Sequence, residues 1–157
     1  MKIFLNLGSN LGNREEMLGR AVALINDALP GRVSCSRMLE TPAWGFESEY
    51  PFLNLGVMIE TKAGYEPLEL LHIVQQVQRQ LDPSPHRNEE GGYIDRAIDI
   101  DIIAIDERVI DLPELTVPHP RMHLRRFVLE PMAQLAPDWK HPLLHLTPKE
   151  MMLKIKN

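Results

Sequence analysis

Tyr93-Ile94-Asp95-Arg96-Ala97-Ile98-Asp99-Ile100-Asp101-Ile102-Ile103-Ala104-Ile105 is isoleucine-rich from Ile98 onward and only a few residues long, the pattern of a buried strand. It nevertheless carries two aspartates at i and i+2. Side chains alternate along a strand, so Asp99 and Asp101 share one face while Ile98, Ile100 and Ile102 take the other. The rise per residue puts the two carboxylates roughly 6–7 Å apart. Two half-buried carboxylates repel each other and are costly to desolvate unless a cation or a shared proton compensates. A hard divalent cation with oxygen ligands answers that need, and Mg²⁺ commonly brings substrate phosphates with it. The plainer alternative is a strand with one wet face whose acids are solvated.

Before this strand, Ser84-Pro85-His86-Arg87-Asn88-Glu89-Glu90-Gly91-Gly92 combines prolines, paired glycines and charges. It is expected to be a mobile loop, either a lid over a cation site or a plain surface loop. Further upstream, Leu70, Leu71, Val74, Val77 and Leu81 repeat at helical spacing after Pro67, with Gln75 bordering the stripe. On spacing alone Gln75 reads as a solvated helix residue. Alternating Leu53, Leu55, Val57 and Ile59 predict a strand over 52–61, with Asn54 near its entrance. The preceding 41–52 segment holds two prolines and four aromatics, which either pack down on the core or line a ligand site.

At the amino end, residues 2–7 predict a first strand, and Gly8-Ser9-Asn10-Leu11-Gly12-Asn13 a turn into a helix capped by Asn13 with Glu16. The turn lacks both G-x-G-x-x-G and a P-loop lysine, so it is not read as a phosphate cradle. Residues 32–40 predict a further strand. Beyond the aspartates, His119 to Arg126 holds three arginines and two histidines with no acid, in a chain of net charge −5. Arginine forks suit phosphate oxygens, so this reversal of charge fits an anionic ligand, with surface ion pairs as the alternative. Residues 127–135 predict an apolar helix, and Thr147-Pro148-Lys149-Glu150 a capping box opening a terminal helix.

The 157 residues are expected to form one domain, residues 1–157. Net charge disfavours general nucleic-acid binding. The absence of an 18-residue apolar run or an h-region predicts no membrane partner and a cytoplasmic location. Cys35 stands alone, which excludes a disulfide framework or a cysteine-based metal site. Paired acids, a cationic cluster and an aromatic loop together suit transfer of a phosphoryl or pyrophosphoryl group from a nucleotide to a planar acceptor, with metal bridging the phosphates.

The order of motifs resembles the 6-hydroxymethyl-7,8-dihydropterin pyrophosphokinase family nearly end to end. The motifs are Gly8-Ser9-Asn10-Leu11, Glu40-Thr41-Pro42 with Trp44-Gly45, Phe52-Leu53-Asn54, Arg96 followed by Asp99-Ile100-Asp101, Val117-Pro118-His119-Pro120-Arg121, Arg125 with Phe127-Val128-Leu129, and Ala136-Pro137. The resemblance implies an α+β fold with a ferredoxin-like core, an α/β sandwich whose mixed sheet is covered by helices. It also implies transfer of the β,γ-pyrophosphate of ATP to the pterin hydroxymethyl group, giving AMP and the pterin diphosphate in folate biosynthesis. The chain is expected to act as a monomer.

By the same resemblance, Asp99 and Asp101 hold two Mg²⁺ ions. Arg96, His119 and Arg125 contact the triphosphate, and Leu71, Gln75 and Ile102 border the nucleotide. Thr41, Pro42, Trp44 and Asn54 bind the pterin between Phe52 and Phe127. This chain departs from the family pattern at Asp82-Pro83 and Tyr93-Ile94-Asp95-Arg96, where the family often has Gly-Arg and Trp-Gly-Pro-Arg. Arg87 is then the expected catalytic substitute for the loop arginines, with His86 behind it, and Tyr93 takes the place of the tryptophan. A non-catalytic pterin- or nucleotide-binding protein on the same fold is the competing expectation.

Overall fold

Isoleucine, leucine and valine at alternate positions build the two central strands, β1 (Lys2–Ser9) and β4 (Phe52–Thr61), which pair antiparallel from Lys2↔Glu60 to Ser9↔Leu53. The computed structural model describes residues 1–42, 51–82 and 97–156. Around the central pair lie α1 (Arg14–Ala28), β2 (Gly31–Cys35), β3 (Leu39–Thr41), α2 (Pro67–Leu81) and β5 (Asp99–Ile105). The chain continues through a short hairpin, β6 (Ile110–Asp111) and β7 (Thr116–Val117), then α3 (Arg126–Leu135) and α4 (Pro148–Leu153).

The main sheet runs β2-β4-β1-β5, with β3 also on β4. With α1 following β1 and α2 following β4, this is the ferredoxin-like succession expected from the sequence. The sheet is not mixed, however: every described pairing is antiparallel. The geometric reason is that each α-helical connection returns the chain to a strand position that is not adjacent to the one it left. Neighbouring strands therefore run in opposite directions.

Two apolar layers sandwich the sheet. Ile3, Leu5, Leu7, Leu55, Val57, Ile59, Ile100 and Ile102 pack with Leu18 and Ile25 of α1 and with Leu70 and Val74 of α2. On the opposite face Phe4, Met58, Ile103 and Ala104 pack with Val128, Leu129 and Met132 of α3, with Trp139, and with Met151 of α4. A register shift opposite Phe4 and Leu5 makes Ile103 the extra residue of β5, since Phe4 pairs with Ala104 and Leu5 with Ile102. Consecutive residues Ile103 and Ala104 thus join the second layer and Ile105 returns to the first. Asp99 and Asp101, four and two residues before Ile103, belong to the second face.

The helix ends follow the local chemistry. Asn13 Oδ1 accepts from the Glu16 amide at 3.1 Å, and Thr147 and Glu150 complete a reciprocal capping box. The strand expected over 32–40 is two strands, because Ser36 inserts its side chain into the ladder: Gly56 N–H donates to Ser36 Oγ at 2.9 Å. Gly8 and Ser9 belong to β1, so the turn into α1 is shorter than the glycine spacing predicts; Gly12, at φ 67°, makes the left-handed step. Among the described residues no helix is long and apolar enough to cross a membrane.

Candidate active site

β5 is an end strand, and its outer edge is gripped by α2. Gln78 Oε1 accepts the Ile100 amide at 2.8 Å, and the buried Asp82 accepts the Ala97 amide at 3.0 Å. Beside this edge opens a cleft of about 390 Å³, lined by Asp99, Asp101, Ile102, Leu71, Gln75 and His119 among others. Both aspartates are half-buried, as the strand register requires. Gln75 is exposed into the cleft rather than merely solvated. Sequence reasoning missed Gln78, Glu114 and Thr116, which also line it. The two on the hairpin carry no local signal, since only the pairing of β6 with β7 swings them towards β5.

His119 follows the cis Val117–Pro118 bond and is tied to β5 through its amide, which donates to the Ile103 carbonyl at 2.8 Å. Its Nδ1 accepts the Arg121 amide at 3.1 Å, which puts the proton of the neutral ring on Nε2 as a donor. Its pKa is lowered from 6.5 to about 4, first by burial and then by the Arg125 and Arg121 guanidiniums, with Asp99 opposing. A neutral histidine among arginines and one carboxylate is set for an anion. Arg125, at the N-cap of α3, lies with its guanidinium carbon 5.6 Å from the Phe127 ring centroid, so this cation is placed near both His119 and an aromatic ring.

A second group of predicted residues meets on the same sheet face. Asn54 Nδ2 donates to Thr41 Oγ1 at 2.7 Å and to the Leu39 carbonyl at 3.1 Å, and it is buried. Gly8 pairs with Asn54 on one side and with Asp99 on the other. A Cβ at Gly8 would come within 3.3 Å of the Phe52 ring and 3.4 Å of Asn54 Oδ1. Gly8 therefore leaves the room that the Phe52 ring and the Asn54 amide occupy beside the strand that pairs with Asp99, a close packing hidden in the sequence by its resemblance to a turn glycine. Pro42 is exposed at the end of β3, beyond Thr41. Trp44, Arg87, Tyr93 and Arg96, together with the 84–92 loop, lie outside the described residues.

Among the described residues no group of three His, Cys, Asp or Glu side chains is arranged to hold a metal by itself. A pair of half-buried carboxylates beside an open cleft fits a cation of the Mg²⁺ type, which takes one or two carboxylates and completes its shell with water and substrate phosphate.

Comparison with known proteins shows the family. Residues 4–137 match the family described as 7,8-dihydro-6-hydroxymethylpterin-pyrophosphokinase. The chain is 41% identical over 142 residues to a 2-amino-4-hydroxy-6-hydroxymethyldihydropteridine pyrophosphokinase of Porphyromonas gingivalis, covering 89% of this chain and 93% of that one. It is 38% identical over 133 residues to the Bacillus subtilis enzyme of the same name, covering 84% and 76%. Its fold is similar to a Plasmodium falciparum HPPK-DHPS crystal structure, with a TM-score of 0.73 at 16% identity; the match covers 98% of this chain and 44% of that one.

Proposed function

The chain belongs to the 7,8-dihydro-6-hydroxymethylpterin pyrophosphokinase family, and on that premise we propose how its residues divide the work of the reaction. The protein transfers the β,γ-pyrophosphate of ATP to 6-hydroxymethyl-7,8-dihydropterin in folate biosynthesis. The pterin hydroxyl oxygen bonds to the β-phosphorus, the bond from that phosphorus to the α,β-bridging oxygen breaks, AMP departs, and the hydroxyl proton is released. Relatives named as pyrophosphokinases over most of this chain's length disfavour the non-catalytic alternative.

The observation that carries the assignment is the cleft in which Asp99 and Asp101 meet Leu71, Gln75, Ile102 and His119. Leu71, Gln75 and Ile102 border the nucleotide. His119, through Nε2–H, and Arg125, through its guanidinium, bind phosphate oxygens; Arg96 and Arg87 complete the cationic set. Asp99 and Asp101 hold two Mg²⁺ ions, which when bound neutralise phosphate charge and orient the triphosphate. Thr41, Pro42, Trp44, Asn54 and Tyr93 border the pterin, and Phe52 and Phe127 flank its ring. We further propose that residues 1–157 act as one domain and as a cytoplasmic monomer.

Product identity tests the assignment directly. With ATP and Mg²⁺, AMP forms only when 6-hydroxymethyl-7,8-dihydropterin is present, and EDTA stops it. ADP as the nucleotide product, or AMP release indifferent to the pterin, would overturn the reading.

A further inference from the structure

Asn6 is a polar side chain in the middle of the central strand, only 5% exposed. On one side its register partner is Asp101, and on the other Gly56. With Gly56, Val128 and Met132 it lines the small gap beneath α3. Burying an amide there costs free energy that an aliphatic residue would not, unless the amide makes a bond that matters. The bond it makes is to a backbone group: Nδ2 donates to the Phe127 carbonyl at 3.1 Å.

That carbonyl is the one a helical amide at position 131 would serve, and position 131 is proline, which has no N–H. Pro131 is itself seated tightly on the sheet. A Cβ on Gly56 would fall 2.6 Å from Pro131 Cβ, so the close approach of helix and strand requires glycine opposite proline. Asn6 and Gly56 are cross-strand neighbours, and together they meet the two consequences of the proline: its bulk against the sheet and its missing donor.

We propose that Asn6 is a positioning residue for the pterin site, its side-chain amide standing in for the missing Pro131 N–H and so holding the first turn of α3, with Phe127, against the strands that carry Asp101 and Asn54. The proposal rests on the reading of Phe127 as a wall of the pterin site. It links the two ends of the reaction, since Asn6 sits between the aspartate strand and the helix that presents the aromatic ring.

The test is a double-mutant cycle read by ligand affinity. Asn6→Ala weakens 6-hydroxymethyl-7,8-dihydropterin binding about 10-fold, as expected when one positioning bond is lost, while the affinity for the Mg²⁺ complex of a non-hydrolysable ATP analogue stays within about twofold. Pro131→Ala restores a backbone donor to the Phe127 carbonyl, so in that background Asn6→Ala changes pterin affinity little. Asn6→Leu fills the same space without a donor and behaves as Asn6→Ala does, which keeps the test sound if the alanine variant does not fold. Equal pterin losses in the two backgrounds, parallel losses of both ligands, or unchanged pterin affinity in Asn6→Ala and Asn6→Leu would overturn the proposal. Phe127→Ala separates its failure from that of the site reading. If Phe127→Ala leaves pterin affinity intact, the wall assignment falls and the inference with it; if pterin affinity drops while the Asn6 variants are silent, only the inference falls.

Discussion

Asp99 and Asp101 owe their pairing to strand geometry, and their partial burial makes the pair costly without a counter-charge. Asp99→Ala is therefore expected to reduce AMP formation by at least about 100-fold at saturating Mg²⁺. Near-wild-type turnover in that variant would remove the metal assignment. His119 supplies a pH signature. Its folded pKa of about 4 lies below the 6.5 of an exposed ring, so between those values the unfolded chain binds more protons than the folded one. Stability then rises with pH across that window, and it is lost as pH falls from about 6.5 towards 4. In metal-free protein, His119→Gln should flatten this acid limb, measured as urea midpoints across the window. A bound triphosphate, being anionic, is expected to raise the His119 pKa, which imidazole NMR shifts would report.

At the scale of elements, the site depends on how strands are terminated and how helices are seated. β5 is held at its entrance by side-chain acceptors of α2 and its C-cap, Gln78 on the Ile100 amide and Asp82 on the Ala97 amide, so the aspartates start from a fixed point. α3 is seated by Gly56 against Pro131. Gly56→Ala should cost about 1–3 kcal/mol in a urea titration, the usual range for forcing extra volume into a packed contact. It should also weaken pterin binding, because lifting α3 moves Phe127; an unchanged midpoint would mean that the helix shifts freely. The predicted helices are observed because caps and apolar stripes are local signals. The 32–40 strand divides because the Ser36 side chain enters the ladder through Gly56, a partner 20 residues away that periodicity does not reveal.

Over the whole molecule, two apolar layers hold one sheet, and β1 crosses the centre of both. Leu7, fully buried between the sheet and its helices, is expected to cost about 2–5 kcal/mol on replacement by alanine, measured by reversible urea unfolding. Charge is arranged at the same scale: a chain of net charge −5 gathers His119, Arg121 and Arg125 beside its paired acids. The sequence by itself determined the helices and the central strands, the shared face of Asp99 and Asp101, the cationic 119–126 segment and, through ordered motifs, the family. Each of these is written in side-chain periodicity, capping chemistry or motif spacing along the chain. Only the tertiary structure decided that every described strand pair is antiparallel, that Gly8 lies in β1 against the Phe52 ring rather than in a turn, that Gln75 faces a cleft, and that Asn6 answers for Pro131. Those outcomes depend on which strands lie side by side and in what register. That is settled by closing the two apolar layers over the sheet, where residues distant in sequence become hydrogen-bond partners.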